Sequence, residues 1–523
     1  MPPSPRLPLL ALLAAAAGCH PDGVPRSPGP PERRAGDPVV AAADPAADAP
    51  LDRAAVNGDV ALLRTLFAAL HPGLARYLTA AELDRAYVDL AAELGPRPTL
   101  TGTYLALSRF TARLRCGHTF LNPTNQSAAV QRALLDGPRL PFAFRWLDGR
   151  MVITRAFVAE PALAPGTEVV AIGDVDSAAL LAELMPLARA DGHNDDKRRA
   201  GLAVLAEPGY QAFDVFLGLL HPELATPYRL TVRRPDGSRA TVLAPAMTPA
   251  SRAAAIAPAA DGTDAADAPL WRLRYLEPDV GYLAMPTWVA YATAWDWQAD
   301  LDRVAAALVA GRARALIVDL RGNEGGSDVG DRLLRHLIDA PLTKAALERW
   351  VRYRAVPAAL RAPLDTWDPS FFDWGAEASP RGDGFFRLAE DEASGAVLTP
   401  LAPRFRGQVI VLVDASNSSA TFQFAQLVQR HRLATLVGEP TGGNQRGING
   451  GAFFFVRLPA TGLEVDLPLI GRFPADGRTD GLPDAGVTPD VVVRVTAADL
   501  AAGRDPQLAA ARALAAAAPP PPR

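Results

Sequence analysis

The chain has 523 residues and a formal net charge of −4, and 49% of its residues are hydrophobic. A chain of this length and composition can bury several packed cores, so more than one domain is expected. The mildly acidic charge gives no electrostatic footprint for nucleic acid, and we expect no nucleic-acid partner.

The first residues have the features of an export signal. A basic residue precedes an apolar run over 7–17, and a Gly-Cys pair follows it. This pattern predicts a signal peptide over 1–18 and a lipid on Cys19 that ties the protein to a membrane, with a plain signal peptide as the alternative. The predicted location is the cell envelope, on the periplasmic side or at the cell surface. If Cys19 is acylated, Cys116 has no disulfide partner.

A proline-rich tether is predicted over 19–50, followed by a helical domain over 51–130. Leu62, Leu66 and Leu70 recur at i, i+4 and i+8, which is typical of one face of a helix. We therefore expect helices to precede the first strands of the chain.

Residues 138–245 alternate between short apolar runs and turn residues, and a helix is predicted from Ser177. This stretch resembles a PDZ-type domain, which binds extended peptide termini by strand addition; a small β-rich spacer is the alternative. His193, with Asp195 and Asp196, follows in a polar stretch. One histidine with two acids there is more typical of a solvated face than of a metal site, so we expect no metal and no other cofactor.

Residues 270–497 alternate strands with helices, which predicts an α/β layered core. One buried strand over 315–318 ends in a turn that contains the pair Gly325 and Gly326 and then enters a helix. Backbone N–H groups exposed at such a helix start can hold an oxyanion. An Ala/Pro-rich tail is predicted over 498–523.

A second strand, turn and helix begins at residue 408 and places Ser419 in the first helical turn. The hydroxyl of Ser419 would lie near the positive end of the helix dipole, and the amide of Ala420 would lie beside it. A serine at this position more often caps a helix than catalyses a reaction. The glycine turn about a hundred residues earlier makes a nucleophile the more attractive interpretation.

Four motifs together resemble the tail-specific protease superfamily, which includes the C-terminal processing proteases, the tricorn core and the retinoid-binding protein repeats. They are Asp-Leu-Arg-Gly-Asn-Glu-Gly-Gly over 319–326, Ser-Ala-Thr-Phe-Gln-Phe-Ala over 419–425, Gly-Glu-Pro-Thr-Gly-Gly over 438–443 and Gly-Val-Thr-Pro-Asp over 486–490. The resemblance implies a crotonase/ClpP-like layered core. It also selects Ser419 over Ser418 as the nucleophile.

The base of the C-terminal processing branch is a lysine 25 positions after the serine, and here that position is Asn444. The chain has two lysines, Lys197 and Lys344, and neither lies in a family motif, so a lysine mechanism is not expected. The tricorn-like branch uses a histidine from a Gly-His-Thr segment, and the resemblance assigns that role to His118. Imidazole also suits general-base chemistry near neutral pH.

The third member of the site is assigned from the same branch. In that branch, the segment before the Gly-Val-Thr-Pro-Asp motif supplies a glutamate. This chain has Pro483 at the position expected for the glutamate, and we select the neighbouring Asp484. Phe422 replaces another motif glutamate. These departures favour altered specificity or an inactive relative.

An aromatic insertion over 342–405 separates the two catalytic strands. It either packs over the site and shapes apolar substrate pockets or anchors a loop to the core.

The sequence therefore predicts an exported serine endopeptidase that cleaves cell-envelope polypeptides with a Ser-His mechanism. Its predicted site consists of Ser419, His118 and Asp484, with the amides of Gly325, Gly326 and Ala420 around the oxyanion. The alternative is a catalytically inactive protein that binds peptides or apolar ligands on the same scaffold. The oligomeric state is left open.

Overall fold

A computed structural model describes residues 47–519, except 208, 226, 257–269, 292, 294, 345–346 and 390–396. The predicted signal peptide, the predicted lipid attachment site Cys19 and most of the predicted tether lie outside the described residues. Within those residues, none of the helices has the length and apolar character needed to span a bilayer.

The N-terminal region is helical, with α1 (Arg53–Leu70), α2 (Ala80–Glu93), α3 (Leu100–Arg113) and the short α4 (Ala128–Val130). The first three helices begin at polar caps, since the side chains of Asp52, Thr79 and Thr99 each accept a hydrogen bond from a backbone N–H of the first turn. In α1 the predicted stripe is buried at Leu66 and Leu70, while the buried face also includes Phe67.

The β-rich domain has one antiparallel sheet flanked by helices. Its elements are β1 (Phe142–Leu147), β2 (Arg150–Ala156), β3 (Glu168–Ile172), β4 (Val175–Asp176), α5 (Ser177–Leu184), α6 (Asp195–Gly201), α7 (Ala212–Leu220), β5 (Tyr228–Arg233), β6 (Arg239–Ala244) and α8 (Pro249–Ile256). The strand order is β1-β2-β3-β5-β6, with β4 paired to β3. The predicted helix from Ser177 is present, and Asp176 caps it.

The core holds the remaining elements. Its strands are β7 (Arg272–Glu277), β8 (Val280–Ala284), β9 (Ala315–Asp319), β10 (Leu342–Thr343), β11 (Glu348–Val351), β12 (Leu364–Asp365), β13 (Ala378–Gly382), β14 (Phe385–Leu388), β15 (Val397–Leu398), β16 (Gln408–Val413), β17 (Thr435–Gly438), β18 (Asn449–Arg457), β19 (Glu464–Phe473) and β20 (Val491–Val492). Its helices are α9 (Trp297–Ala310), α10 (Val329–Arg335), α11 (Ser419–Arg430), α12 (Ala497–Ala501) and α13 (Pro506–Ala517). The predicted α/β class with a layered core is confirmed.

The main sheet of the core has the order β20-β17-β16-β9-β8-β7 and is parallel except for β7. Strands β9 and β16 are neighbours in register, with Ala315 opposite Gln408 and Asp319 opposite Leu412. Every residue of β9 is buried, as expected for a parallel strand covered on both faces. The carboxyl ends of β9 and β16 therefore meet at one edge of the sheet, where parallel α/β sheets place their binding sites.

The C-terminal helix α13 is part of this core. Ala511 and Ala515 are fully buried and pack in one apolar cluster with Ile317 of β9 and Ile410 of β16. At the start of α13, Asp505 accepts hydrogen bonds from the guanidinium of Arg321, which also binds Asp319. The segment predicted as a tail thus contains two helices, and one of them covers the main sheet.

The aromatic insertion pairs with a hairpin of the core. Strands β11 to β14 join β18 and β19 in a second sheet of order β12-β18-β19-β11-β14-β13. The ring of Trp350 stacks on Phe473 at 4.7 Å, and the ring of Phe372 lies 4.7 Å from Phe454. These contacts favour the anchoring interpretation of the insertion.

Candidate active site

The two turns that follow β9 and β16 touch each other. Gly325 and Gly326 have φ values of 104° and 136°, which side chains rarely adopt. A Cβ on Gly325 would lie 3.0 Å from the Cβ of Ser419, and one on Gly326 would lie 2.4 Å from the carbonyl of Trp288. Glycine is therefore required at both positions, because the backbone of one turn lies directly against the other.

Side chains of the serine turn hold the two turns together by hydrogen bonds to the carbonyls of the glycine turn. The amide of Asn417 donates to the carbonyl of Asn323 at 3.0 Å, and the hydroxyl of Thr421 donates to the same carbonyl at 3.0 Å. The hydroxyl of Ser418 donates to the carbonyl of Glu324 at 3.1 Å. Ser418 is thus occupied in a structural contact.

Ser419 differs from its neighbour in backbone and side chain. It is half-buried at the start of α11, and its φ of 49° lies in the left-handed region. A residue with a side chain rarely adopts this conformation, and strained backbone of this kind recurs at active sites. In the part of the chain that the structure describes, the hydroxyl of Ser419 has no hydrogen-bond partner, so it is available for chemistry.

Two backbone amides beside Ser419 are also available. The N–H groups of Gly326 and Ala420 have no acceptor among the described residues. The N–H of Gly325, which was predicted to share the oxyanion, instead donates to the side-chain oxygen of Asn323 at 2.9 Å. Gly326 and Ala420 are therefore the amides that could bind a developing negative charge.

His118 lies in the segment after α3 and is 4% exposed. Its Nε2 is 3.8 Å from the position that a Cβ on Gly450 would occupy, which places the ring in van der Waals range of β18. Burial lowers the pKa of His118 from its ordinary value, and the nearby carboxylates of Asp191 and Glu324 oppose that shift. A neutral imidazole is the form that can accept a proton.

The backbone around His118 is held by its own contacts. The Nε2 of His71 and the hydroxyl of Thr119 share a hydrogen bond of 2.8 Å. The N–H of Gly117 donates to the carboxylate of Asp191 at 2.9 Å. His71 lies at the end of α1 and supports the segment that carries His118.

The structure does not join His118 to the other predicted members of the site. Across the described residues, no hydrogen bond links His118 to Ser419, and the Nδ1 of His118 has no partner. The carboxylate of Asp484, predicted to orient His118, instead binds Nδ1 of His193 at 2.6 Å and the amide of Asn444 at 2.7 Å. Asp484 therefore orients a different imidazole in this conformation, and its predicted role towards His118 stays a prediction.

His118 and Asp484 are not bonded to each other because the segment 189–197 lies between the parts of the chain that carry them. Gly192 passes so close to Asn444 and Asp484 that a Cβ there would lie 2.2 Å and 2.3 Å from their side chains. The amide of Asn194 donates to the carbonyls of Thr441 and Gly443. Sequence analysis missed this segment as a part of the site, because it lies in the β-rich domain outside the four motifs.

The same segment gives no support for a metal. His193 binds Asp484, whereas Asp195 and Asp196 pair with Arg198 and Arg199 of their own helix. Among the described residues no group of three or more metal-binding side chains comes together.

A cavity of about 220 Å³ adjoins the glycine turn and contacts Gly325. Its other walls come from α3 and the segment after it, from the β-rich domain and from the loop after β8, and they include the apolar side chains of Tyr104, Leu121, Phe216 and Val289. Its described lining contains no residue of the aromatic insertion. Arg189, Lys197, Glu207 and Glu324 form its charged part.

Comparison with known proteins gives one family and a set of shared folds. Residues 279–493 match Peptidase family S41. The structure of mature CPAF complexed with lactacystin is similar to this chain at 16% sequence identity and a TM-score of 0.58, and the match covers 86% of this chain and 95% of that chain. The structure of mature CPAF is similar at 16% identity and a TM-score of 0.57, and the match covers 86% of this chain and 94% of that chain. The photosystem II D1 C-terminal processing protease aligns at 14% identity over 83% of this chain and 92% of that chain, but its TM-score of 0.36 is too low to support an argument. No curated protein matches the chain.

Proposed function

Through residues 279–493 the chain belongs to peptidase family S41 and is a serine-type peptidase, and from that premise we propose that it is an endopeptidase in which Ser419 is the nucleophile and His118 the base. The observation that carries this proposal is the strained turn of Ser419, with a free hydroxyl next to the unbonded amides of Gly326 and Ala420. In acyl transfer the hydroxyl would attack the peptide carbonyl while the two amides bind the oxyanion.

His118 would accept the proton of Ser419 in this mechanism. Burial lowers the pKa of its imidazole, which favours the neutral form, and the ring lies near the carboxylate of Glu324 in the turn that faces the nucleophile. The contact between imidazole and hydroxyl would form when substrate binds, because catalytic hydrogen bonds are often longer or absent in an unliganded site.

The cavity beside Gly325 is proposed to hold a substrate side chain. Its apolar walls beside the glycine turn suit an aliphatic or aromatic residue at the cleaved bond. Cleavage mapping on a peptide library tests this directly, and a preference for charged residues at the cleaved bond would contradict it.

The nucleophile is tested with Ser419→Ala, and Ser418→Ala is the matched control. Ser419→Ala should reduce hydrolysis of a peptide library by about 10³-fold or more and abolish labelling by a serine-directed fluorophosphonate probe. Ser418→Ala loses one hydrogen bond to the carbonyl of Glu324 and should keep both activities within about tenfold. Labelling that persists in Ser419→Ala would overturn the assignment.

The inactive binding protein is the second candidate, and one observation favours it: Asp484 and His118 are bonded to neither each other nor Ser419 among the described residues. It predicts that the unmutated protein neither hydrolyses peptides nor reacts with the probe but still binds peptides or apolar ligands. The same assay therefore separates the two candidates.

We also propose that the protein is exported, lipid-anchored through Cys19, and acts on polypeptides of the cell envelope, as the N-terminal sequence indicates. Cys19→Ser should release the protein from the membrane fraction and prevent incorporation of a radiolabelled fatty acid. If Cys19→Ser and the unmutated protein fractionate equally, the anchor is contradicted. Substrates would be identified by comparing the envelope proteins of cells that express the unmutated protein with those of cells that express Ser419→Ala.

A further inference from the structure

One of the two lysines of the chain reaches the candidate active site from the β-rich domain. Lys197 in α6 is 5% exposed. Its Nζ donates to Oε1 of Glu324 at 2.5 Å and to the carbonyl of Ser416 at 3.0 Å. Glu324 immediately precedes Gly325 in the glycine turn, and Ser416 lies three residues before the nucleophile Ser419. A single ammonium group therefore binds both turns.

A second cation from the same segment contacts the same carboxylate. Nη2 of Arg189 lies 3.4 Å from Oε2 of Glu324, and Nη1 of Arg189 donates to the carbonyl of Gly117, next to His118. The guanidinium also lies 4.0 Å from the ring of Phe120. Glu324 is thus held between two cations, one on the side of the serine turn and one on the side of the histidine segment.

We propose that Lys197 and Glu324 are a positioning pair that fixes the distance between the serine turn and the glycine turn. This inference rests on the proposed peptidase function. In this role Lys197 acts through the carbonyl of Ser416 and Glu324 acts through the backbone of Gly325, and both side chains also line the cavity beside the glycine turn. The pair also makes the geometry of the core site depend on the β-rich domain, because α6 supplies the lysine.

The charges around Glu324 give the pair a signature that simple packing lacks. The side chain of Glu324 is 42% exposed, and the charges of Lys197 and Arg189 outweigh its partial removal from water and lower its pKa to about 2. The other ionisable groups that face it are His118 and Glu207. If Lys197 loses its charge, the pKa of Glu324 should rise. Glu324 should then become protonated, and lose its remaining ion pair with Arg189, at a higher pH than in the unmutated enzyme.

The test compares Lys197→Met with Lys344→Met. Lys344 is the other lysine and also forms an ion pair, with Asp331, away from the two turns. We expect Lys197→Met to lower kcat by on the order of 10- to 100-fold with KM within about twofold, because misplacing the reacting groups by about 1 Å has effects of that size. The acid limb of the kcat–pH profile should move to higher pH. Lys344→Met should leave kcat, KM and the pH profile unchanged.

Glu324→Gln keeps the shape of the side chain and serves if Lys197→Met does not fold. It should lower kcat in the same range, and the double variant should lose no more activity than the worse single variant, because the two residues act as one unit. Lys197→Arg keeps a positive charge at this position and should have a higher kcat than Lys197→Met. Additive losses in the double variant, or Lys197→Met with unmutated kcat and pH profile, would overturn the pair while leaving the peptidase function intact. An unmutated protein without Ser419-dependent hydrolysis would overturn the proposed function instead.

Discussion

The two halves of the candidate site are built in different ways. The half with Ser419 and the oxyanion amides comes from two turns on adjacent parallel strands, and side-chain hydrogen bonds from Asn417 and Thr421 hold these turns together. The half with the proton acceptor comes from separate parts of the chain. His118 and Asp484 each have their own supporting contacts, and neither is bonded to the serine in the described structure.

This difference indicates where the protein can be regulated and where it cannot. The nucleophile half is fixed by close backbone contacts and glycine geometry, so it should be complete in the free protein. The acceptor half depends on how the segment 189–197 lies between the domains. We therefore expect substitutions in the first half to act on turnover in every condition, and substitutions in the second half to depend on substrate and pH.

The largest expected effect distinguishes the imidazole of His118 from that of His193. His118→Ala should lower kcat/KM by about 10²–10⁴-fold, as expected when a general base is removed. His193→Ala is the matched control and should change kcat/KM far less, because its side chain is 55% exposed and bonded to Asp484. Steady-state kinetics on one peptide substrate measure both. The reverse ranking would assign the base to His193.

Gly326→Ala tests the rigidity of the nucleophile half. The added Cβ would collide with the backbone of Trp288 at 2.4 Å and strain a φ of 136°, so the oxyanion amide must move. We expect kcat to fall by about 10²–10³-fold, the range seen when an oxyanion donor is lost. Gly58→Ala, in open space on α1, is the control and should keep full activity. Unchanged kcat in Gly326→Ala would exclude this amide from the oxyanion site.

Asp484→Asn should have a smaller effect. In the observed conformation it weakens the hydrogen bonds to His193 and Asn444, and one such bond of about 1.4 kcal/mol corresponds to about a tenfold change in rate. The exposed Asp480→Asn is the control, and kcat/KM is measured for both. A loss of about 10³-fold in Asp484→Asn alone would show that Asp484 orients His118 in the reacting state.

The smallest expected effect is on stability. Burial and the charge of Arg76 lower the pKa of His71 to about 3. The unfolded chain then binds more protons than the folded one below about pH 6.5, so stability falls as the pH drops from about 6.5 towards 3, by at most about 1.4 kcal/mol per pH unit for this group. Urea unfolding at pH 7 and pH 5 should show a smaller loss in His71→Gln than in the unmutated protein. The exposed His431→Gln is the control, and an equal pH slope in His71→Gln would contradict the assignment.

The parts of the molecule that local sequence determines were predictable. Asp319 to Gly326 and Ser419 to Ala425 lie where a buried strand ends in a turn and where a helix begins after a turn, and their residues specify the turns through glycine conformation and apolar periodicity, so the fold class and the neighbourhood of Ser419 followed from the sequence. The site contacts of Lys197 and Asp191 did not follow, because they depend on how the β-rich domain packs against the core. The partner of Asp484 was missed for the same reason.

The docking of α13 has a practical consequence. Asp505 neutralises Arg321 just ahead of the glycine turn, and Ala511 and Ala515 shield Ile317 and Ile410 from water. A chain truncated before residue 505 would leave the guanidinium of Arg321 with Asp319 but without Asp505, and it would leave an apolar face of the main sheet exposed to water. Affinity handles and fusion partners are better joined beyond α13 than inside it.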